Sequence, residues 1–203
     1  ISPDKTVLSG ETAVRQLKED GSYNSLAAAV AATRYQINRN ENGILAENPA
    51  QQFSARFSGR ELHIVQTQAG QPTHKFGLRL LGYGYGNDLP EIGEGEPTTN
   101  GNRVEIKKPG ITEWYVNQPD GLEQGFTLDA PPNLDHPTSP VNRRLKLEMQ
   151  VSGDLHAENV NPEAVSFKDK QGRVVMAYDH LAAWDANHTP LPATMKTNGN
   201  AIT

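Results

Sequence analysis

ITEWYVNQPDGLEQGFTL, residues 111–128, is the stretch that decides the fold, because two β-prone segments flank the turn Pro-Asp-Gly at 119–121. Proline sets φ at the first corner of a turn, aspartate can hydrogen-bond its own backbone, and glycine accepts a positive φ. Trp114 and Tyr115 before the turn, and Phe126 after it, are residue types enriched in strands. The stretch therefore predicts a β-hairpin and, with it, a domain of the β class.

The composition supports the same class. Only 35% of the residues are hydrophobic, whereas the 203 residues include 18 glycines and 14 prolines. Such a mixture favours many short elements joined by turns over a helical bundle. A chain of this length suits one structural unit, in which we distinguish an N-terminal helical segment, residues 1–35, from a β domain, residues 36–203.

Charge and cysteine content exclude several classes of function. The formal net charge is −5 and the basic residues do not cluster, whereas nucleic-acid binding normally needs a basic stripe. No apolar run approaches the roughly 20 residues that cross a bilayer. The absence of cysteine excludes disulfides and thiolate metal sites. Because the sequence opens at Ile1 without a signal-peptide pattern, we expect an excised or mature segment, with any export signal upstream of it.

Helical features are confined to the N-terminal segment. Ser9 can cap a short helix for which Gly21 is a natural C-terminal residue. Residues 25–32, SLAAAVAA, have high helix propensity. We expect one or two short α-helices here, with the alanine-rich one packing on the sheet.

Beyond this segment the hydrophobic period changes to that of a strand. Apolar and polar residues alternate at 53–57, 76–80 and 145–151. Alternation of this kind places one face of an antiparallel sheet on a core and the other in water. Residues 87–102 are polar and glycine-rich and predict a long exposed loop. The predicted fold class is mainly β: an antiparallel β-sandwich with one or two short N-terminal α-helices.

Several short motifs follow one another in a distinctive order. They are Arg34-Tyr35, NPAQQF at 48–53, LRLLGYG at 78–84, the hairpin at 111–128, LEMQVSGDL at 147–155, YDHLAAWDA at 178–186 and Leu191-Pro192-Ala193. This colinear set resembles the N-terminal, non-repeat domain of very large secreted bacterial proteins that continue into β-propeller-type repeats of the FG-GAP (integrin-like) or SBBP kind. The resemblance implies an extracellular or bacterial cell-surface location, and downstream repeat domains of the same polypeptide as partners. It supplies no catalytic residues.

The hairpin also contains a candidate glycan site. Exposed aromatic rings beside amides are typical of carbohydrate-binding surfaces, and Trp114, Tyr115, Asn117 and Gln118 supply both. Because neighbouring residues of a strand point to opposite faces, at least one of the two aromatic residues is expected to enter the core.

Calcium is the one cofactor that the sequence suggests. Asp185, Asn187 and Thr189 place oxygen-bearing side chains at alternating positions, the spacing that opens many calcium loops. The later glycine and glutamate of an EF-hand are missing, and aspartate and asparagine also favour ordinary tight turns. Both readings of these residues remain open at this point.

The motifs favour a protein that is not an enzyme. No nucleophile elbow, H-E-x-x-H zinc motif or Walker phosphate loop occurs. The leading prediction is a non-catalytic structural or interaction module of an exported bacterial surface or secreted protein, related to adhesion. It would act through a sheet face and the 87–102 loop on a protein or glycan ligand.

Two alternative functions remain open. One alternative is a carbohydrate-binding module. The other is a hydrolase of extracellular polymers, for which Glu113 and Glu123, on opposite arms of the hairpin, could supply paired carboxylates.

Overall fold

The computed structural model describes residues 33–86, 89–132 and 144–203. In these ranges the chain is mainly β, and the paired strands run antiparallel. The prediction of a mainly β, antiparallel fold is confirmed. The predicted N-terminal helices lie outside the described residues except for the last few positions of that segment. Among the residues that are described, none belongs to a helix long and apolar enough to cross a bilayer.

The first half of the chain forms a meander of consecutive strands. They are β1 (Ile37–Asn40), β2 (Gly43–Asn48), β3 (Phe53–Phe57), β4 (Leu62–Gln68) and β5 (Gln71–Tyr85). The alternation predicted at 53–57 is confirmed, because Phe53, Ala55 and Phe57 are all buried. One face of this first sheet therefore lines the core.

A second meander follows, with two-residue turns between its strands. It contains β6 (Glu96–Asn100), β7 (Arg103–Lys108), β8 (Ile111–Gln118) and β9 (Gly121–Leu128). The predicted hairpin is confirmed, with Gln118 paired to Gly121 across the turn. The prediction of a loop throughout 87–102 is wrong at its C-terminal end, because β6 pairs with β7 as an edge strand. An edge strand has one unpaired side, so it tolerates Pro97.

The last part of the chain extends the first sheet and builds a third one. The predicted strand at 145–151 is present as β10 (Leu145–Gly153), which pairs with β5, and Met149 and Val151 are buried as predicted, whereas Leu145 is exposed. The third sheet contains β11 (His156–Asn161), β12 (Ala164–Lys168) and β13 (Val174–Tyr178). The short strands β14 (Thr197–Asn198) and β15 (Ala201–Ile202) then return to the edge of the first sheet beside β10.

The three sheets share one hydrophobic core. The ring of Phe57 in β3 lies 5.2 Å from that of Tyr115 in β8, which joins the first and second sheets. The ring of Phe76 in β5 lies 4.5 Å from that of Phe167 in β12, which joins the first and third. Tilted aromatic pairs at such separations add to hydrophobic burial. The interior face of β8 is thus covered by the other sheets.

Candidate functional site

The inner face of β8 carries polar as well as apolar residues. Ile111, Glu113, Tyr115 and Asn117 are all buried, because alternate residues of a strand share a face. A carboxylate or an amide in an apolar interior costs free energy unless it is hydrogen-bonded. The partners of Glu113 and Asn117 therefore define the polar chemistry of the interior.

Glu113 forms a buried ion pair with Lys108, the last residue of β7. Lys108 Nζ lies 2.9 Å from Glu113 Oε2, and the two side chains are only 1% and 3% exposed. The turn after β7 brings them together: Lys108 pairs in register with Ile111, and Glu113 is the next residue of β8 on that face. The cost of desolvating such a pair offsets much of its attraction, whereas losing one partner leaves a buried charge uncompensated.

Tyr115 and Gln124 hydrogen-bond to the other oxygen of the carboxylate. The Tyr115 hydroxyl donates to Glu113 Oε1 at 2.5 Å, and Gln124 Nε2 donates to the same oxygen at 2.9 Å. The amide of Gln124 also donates to the Tyr115 hydroxyl at 2.9 Å. Burial raises the pKa of the Tyr115 hydroxyl, and the negative charge of Glu113 raises it further. Tyr115 therefore stays a proton donor over a wide range of pH.

Tyr178 connects this cluster to the third sheet. Its hydroxyl donates to Gln124 Oε1 at 3.0 Å, which turns the amide nitrogen of Gln124 towards Glu113. Burial raises the pKa of Tyr178 as well, with a further contribution from the charge of Glu113. We call Lys108, Glu113, Tyr115, Gln124 and Tyr178 the Glu113 network. Satisfied polar networks of this kind specify one arrangement of a core.

A second buried polar contact joins the first and second sheets. Asn48 Nδ2 donates to Asn117 Oδ1 at 2.9 Å, and both residues have 0% exposure. Asn117 Nδ2 donates to the main-chain oxygens of Tyr35 at 3.0 Å and Glu47 at 2.9 Å. The oxygen of the Asn48 side chain accepts the N–H of Gln51 at 3.0 Å. We call Asn48 and Asn117 the amide clasp.

Trp114 lies on the opposite, outer face of the second sheet. The guanidinium carbon of Arg103 is 4.3 Å from the centroid of its ring. The indole N–H donates to Thr127 Oγ1 at 3.2 Å. The ring also lies directly over Gly125, its partner in β9, because a Cβ added there would collide with the ring atoms. Arg103 and the backbone of β9 thus cover the ring.

The predicted glycan residues are divided between the two faces of this sheet. Trp114 and Gln118 are partly exposed on the outer face, whereas Tyr115 and Asn117 are buried. The expectation that one of the neighbouring aromatic residues enters the core is confirmed for Tyr115. Of the proposed contacts, only Trp114 and Gln118 are partly exposed, and glycan binding stays a prediction.

Glu113 and Glu123 do not face one another. Glu113 points into the core and pairs in register with Phe126, whereas Glu123 is exposed on the outer face opposite Val116. A glycosidase needs both carboxylates on the same bound sugar. The prediction of a catalytic pair is wrong, because Glu113 and Glu123 lie on opposite faces of the same sheet.

The candidate calcium residues form a tight turn. Asp185 Oδ1 accepts the backbone N–H groups of Asn187 at 2.8 Å and Thr189 at 2.9 Å. The hydrogen bond from the Thr189 backbone is the largest cause that lowers the pKa of Asp185. In the described part of the chain, no group of three or more His, Cys, Asp or Glu residues is placed to hold a metal ion. Calcium binding by Asp185, Asn187 and Thr189 stays a prediction.

This turn joins two short extended arms that carry exposed apolar side chains. Trp184 pairs with Pro190, and the Leu191 N–H donates to the oxygen of Ala183 at 2.8 Å. Trp184 is 55% exposed and Leu191 is 48% exposed. We call residues 183–191 the Trp184 ribbon. Two exposed apolar side chains on one short ribbon give it apolar surface that a partner could cover.

A cleft of about 500 Å³ opens near the amide clasp. Its walls include Arg34, Glu47 and Gln52. Burial raises the pKa of Glu47, and Gln52 adopts a φ of 55°. The cleft thus combines one cation, one carboxyl group and a backbone conformation that residues other than glycine seldom adopt.

Sequence reasoning missed both buried polar clusters. A local signal was present, because Glu113 and Asn117 are in phase with Ile111 and Tyr115 and so had to share their face. Apart from Tyr115, the side chains that contact these two residues lie on other strands. Which strands pair or stack is decided by the tertiary fold, and a local period carries no information about it.

Comparison of the chain with protein-family models, curated proteins and solved structures found no match.

Proposed function

We propose that this chain is a non-catalytic structural and interaction module of an exported bacterial surface or secreted protein, with a role in adhesion. The observation that carries the proposal is the Trp184 ribbon, in which Trp184 is 55% exposed and Leu191 48% exposed. Aromatic side chains are enriched in protein interfaces and supply much of the binding energy there. A partner that covers the ribbon would remove this apolar surface from water.

We also infer that the sheets form an antiparallel β-sandwich, on which the helices of residues 1–35 pack. The contact between Phe57 and Tyr115 supports face-to-face packing of the first two sheets. Leu181, two positions before the Trp184 ribbon, packs against the core. The module then acts through shape and surface chemistry.

The partner we propose is a downstream repeat domain of the same polypeptide, or else a protein or glycan surface outside the cell. Trp184 and Pro190 are paired, so they share one side of the ribbon, and Leu191 follows on the other side. A partner could therefore contact both sides. The hydrogen bonds that Asp185 accepts fix the turn in advance, which lowers the entropy lost on binding.

Amide hydrogen exchange tests this proposal. The exchange of residues 183–191 is compared between the isolated chain and the complete gene product, with the exposed turn at 170–172 as an internal control. We expect exchange in the ribbon to slow by at least about tenfold, which corresponds to about 1.4 kcal/mol. Trp184→Ala should abolish the slowing, whereas Val160→Ala, at a residue that is 64% exposed elsewhere, should not. Equal rates in both proteins would contradict the proposal that the repeats are the partner.

A carbohydrate-binding module is the alternative proposal, and the partly exposed position of Trp114 on the outer face supports it. A sugar could stack on this ring only where Arg103 moves aside, because the guanidinium group lies 4.3 Å from the ring centroid. The test is thermal unfolding against a panel of bacterial and host glycans. A glycan at a hundred times its dissociation constant should add about 2.7 kcal/mol of stability. Arg103→Ala should preserve or increase this shift, and Trp114→Ala should remove it.

A further inference from the structure

Lys108 and Glu113 place an amine and a carboxyl group in contact where water is excluded. Nζ lies 2.9 Å from Oε2, and the side chains are 1% and 3% exposed. We propose that these two side chains condense in the folded chain to form an intramolecular amide (isopeptide) bond between Lys108 Nζ and Glu113 Cδ. The inference does not depend on the partner or the location of the protein.

The driving force is the cost of keeping two charges in the core. An ammonium and a carboxylate both lose their hydration on burial, and their mutual attraction offsets this loss only in part. A secondary amide carries no net charge, so its formation removes both buried charges. Reacting groups held in fixed contact behave as if present at about 10⁵–10⁸ M, and a dry core leaves little water to reverse the reaction.

The surroundings of the carboxyl group fit attack by an amine. The attack turns one carboxyl oxygen into an oxyanion, which needs hydrogen-bond donors already in position. Glu113 Oε1 has two such donors, the Tyr115 hydroxyl at 2.5 Å and Gln124 Nε2 at 2.9 Å. Tyr178 holds the Gln124 amide in this orientation. The amine approaches from the side of the other oxygen, Oε2, which is the one that leaves.

The reaction balances without an oxidant or any other reactant. The ammonium group of Lys108 first transfers one proton to Glu113 Oε2, which gives a neutral amine and a neutral carboxylic acid. The lone pair of Nζ then forms a bond to Cδ, and the negative charge develops on Oε1. A second proton passes from nitrogen to Oε2, the bond between Cδ and Oε2 breaks, and one water molecule leaves. Oε1 remains as the carbonyl oxygen of the amide.

The chain contains an internal comparison for this proposal. Lys168 Nζ lies 2.8 Å from Glu158 Oε2, as close as the buried pair, but these side chains are 23% and 57% exposed. Hydration keeps both groups of an exposed pair charged, and a protonated amine has no lone pair with which to attack. We expect the amide at Lys108 and none at Lys168.

Mass spectrometry of the folded chain tests the proposal. The intact protein, incubated at neutral pH after purification, should weigh less than its sequence mass by one water molecule. After trypsin digestion, the loss should map to the peptide that begins at Lys108 and contains Glu113. No backbone fragment ions should arise between these two residues, because the cross-link closes a ring. A folded chain that keeps its full mass after prolonged incubation overturns the proposal, and so does a water loss that maps elsewhere.

Variants separate this chemistry from an accidental dehydration. Lys108→Arg keeps a positive charge but has no amine to acylate, so the loss of water should disappear. Lys168→Arg at the exposed pair should keep it. Tyr115→Phe removes one donor to Oε1 and should slow formation of the cross-link in a time course without relocating it. If Lys108→Arg retains the loss at the same peptide, the assignment to Lys108 is wrong. The mass of the unsubstituted chain decides the question even where a variant fails to fold.

Discussion

Asn48 and Asn117 hydrogen-bond to each other through their side chains at 2.9 Å, although they are 69 positions apart and lie in strands of different sheets. Asn48 opens the NPAQQF motif, and Asn117 follows the aromatic pair of the 111–128 hairpin. The segments 48–53 and 111–128 therefore meet inside the molecule. This buried contact gives Asn48 and Asn117 a structural role inside the fold.

Removal of one half of the amide clasp should destabilise the fold. Asn117→Ala leaves the main-chain oxygens of Tyr35 and Glu47 without this donor, whereas the Asn48 amide keeps its hydrogen bond to the main-chain oxygen of Gln118 at 2.7 Å. Each unsatisfied buried group costs about 1–3 kcal/mol, so we expect the midpoint of urea unfolding to fall clearly. Gln118→Ala, the adjacent residue on the outer face, is the matched control and should change stability by less than about 0.5 kcal/mol. Equal effects of the two substitutions would contradict an internal role for Asn117.

Before the amide forms, in freshly purified chain that still has its full sequence mass, the ion pair of Lys108 and Glu113 should show strong coupling in a double-mutant cycle. Lys108→Met leaves Glu113 charged and unpaired in the core, and breaking a buried pair in this way costs about 3–5 kcal/mol. The double variant Lys108→Met/Glu113→Leu removes both charges and should recover most of the loss. Urea unfolding of the single and double variants measures the coupling. Additive losses would mean that the two side chains do not depend on each other.

Stability should decline at alkaline pH because of the buried tyrosines. Burial raises the pKa of Tyr115, so above the ordinary tyrosine pKa of about 10 the unfolded chain loses a proton that the folded chain keeps. The stabilisation is complete below about pH 10 and is lost as pH rises towards the folded pKa, at up to about 1.4 kcal/mol per pH unit. Unfolding midpoints measured from pH 8 upwards should fall more steeply for the natural chain than for Tyr115→Phe. Parallel curves would argue against this source of the decline.

The packing of Trp114 should be sensitive to its neighbour on the adjacent strand. A Cβ at position 125 would collide with the indole ring, so Gly125→Ala should displace the ring and break its stacking with Arg103. Overpacking of this kind costs about 1–3 kcal/mol. In a Trp114→Ala background the same substitution should cost much less, and unfolding of all four proteins measures the difference. Equal costs in both backgrounds would mean that the ring does not lie over Gly125.

Asp185 should control the order of the Trp184 ribbon more than the stability of the whole chain. Asp185→Ala removes the acceptor for the N–H groups of Asn187 and Thr189. We expect faster hydrogen exchange at these two amides with little change in the midpoint of global unfolding.

The prediction of calcium binding by Asp185, Asn187 and Thr189 is tested by hydrogen exchange at the same amides. Slower exchange on addition of calcium, lost in Asp185→Ala, would support an ion at this turn, and identical exchange with calcium and with EDTA would contradict it.

Several strands followed from residue chemistry alone. The Pro-Asp-Gly turn after Gln118 and the alternation around Phe57 and Met149 predicted elements that the structure contains. The edge strand Glu96–Asn100 was not predicted, because its polar composition and Pro97 are those of a loop. It becomes a strand by pairing with β7, and a pairing partner adds hydrogen bonds that composition does not reveal.

By itself, the sequence determined the β class of the chain and that Glu113 and Asn117 share a strand face with Ile111 and Tyr115, because turn chemistry and a period of two are local properties. Only the tertiary structure decided that Lys108 and Gln124 surround Glu113, that Tyr178 reaches them from a third sheet, and that Asn48 meets Asn117. These contacts depend on strand register and on which sheets stack. Register and stacking are set by the free energy of burying the whole core, to which residues distant in the sequence contribute together.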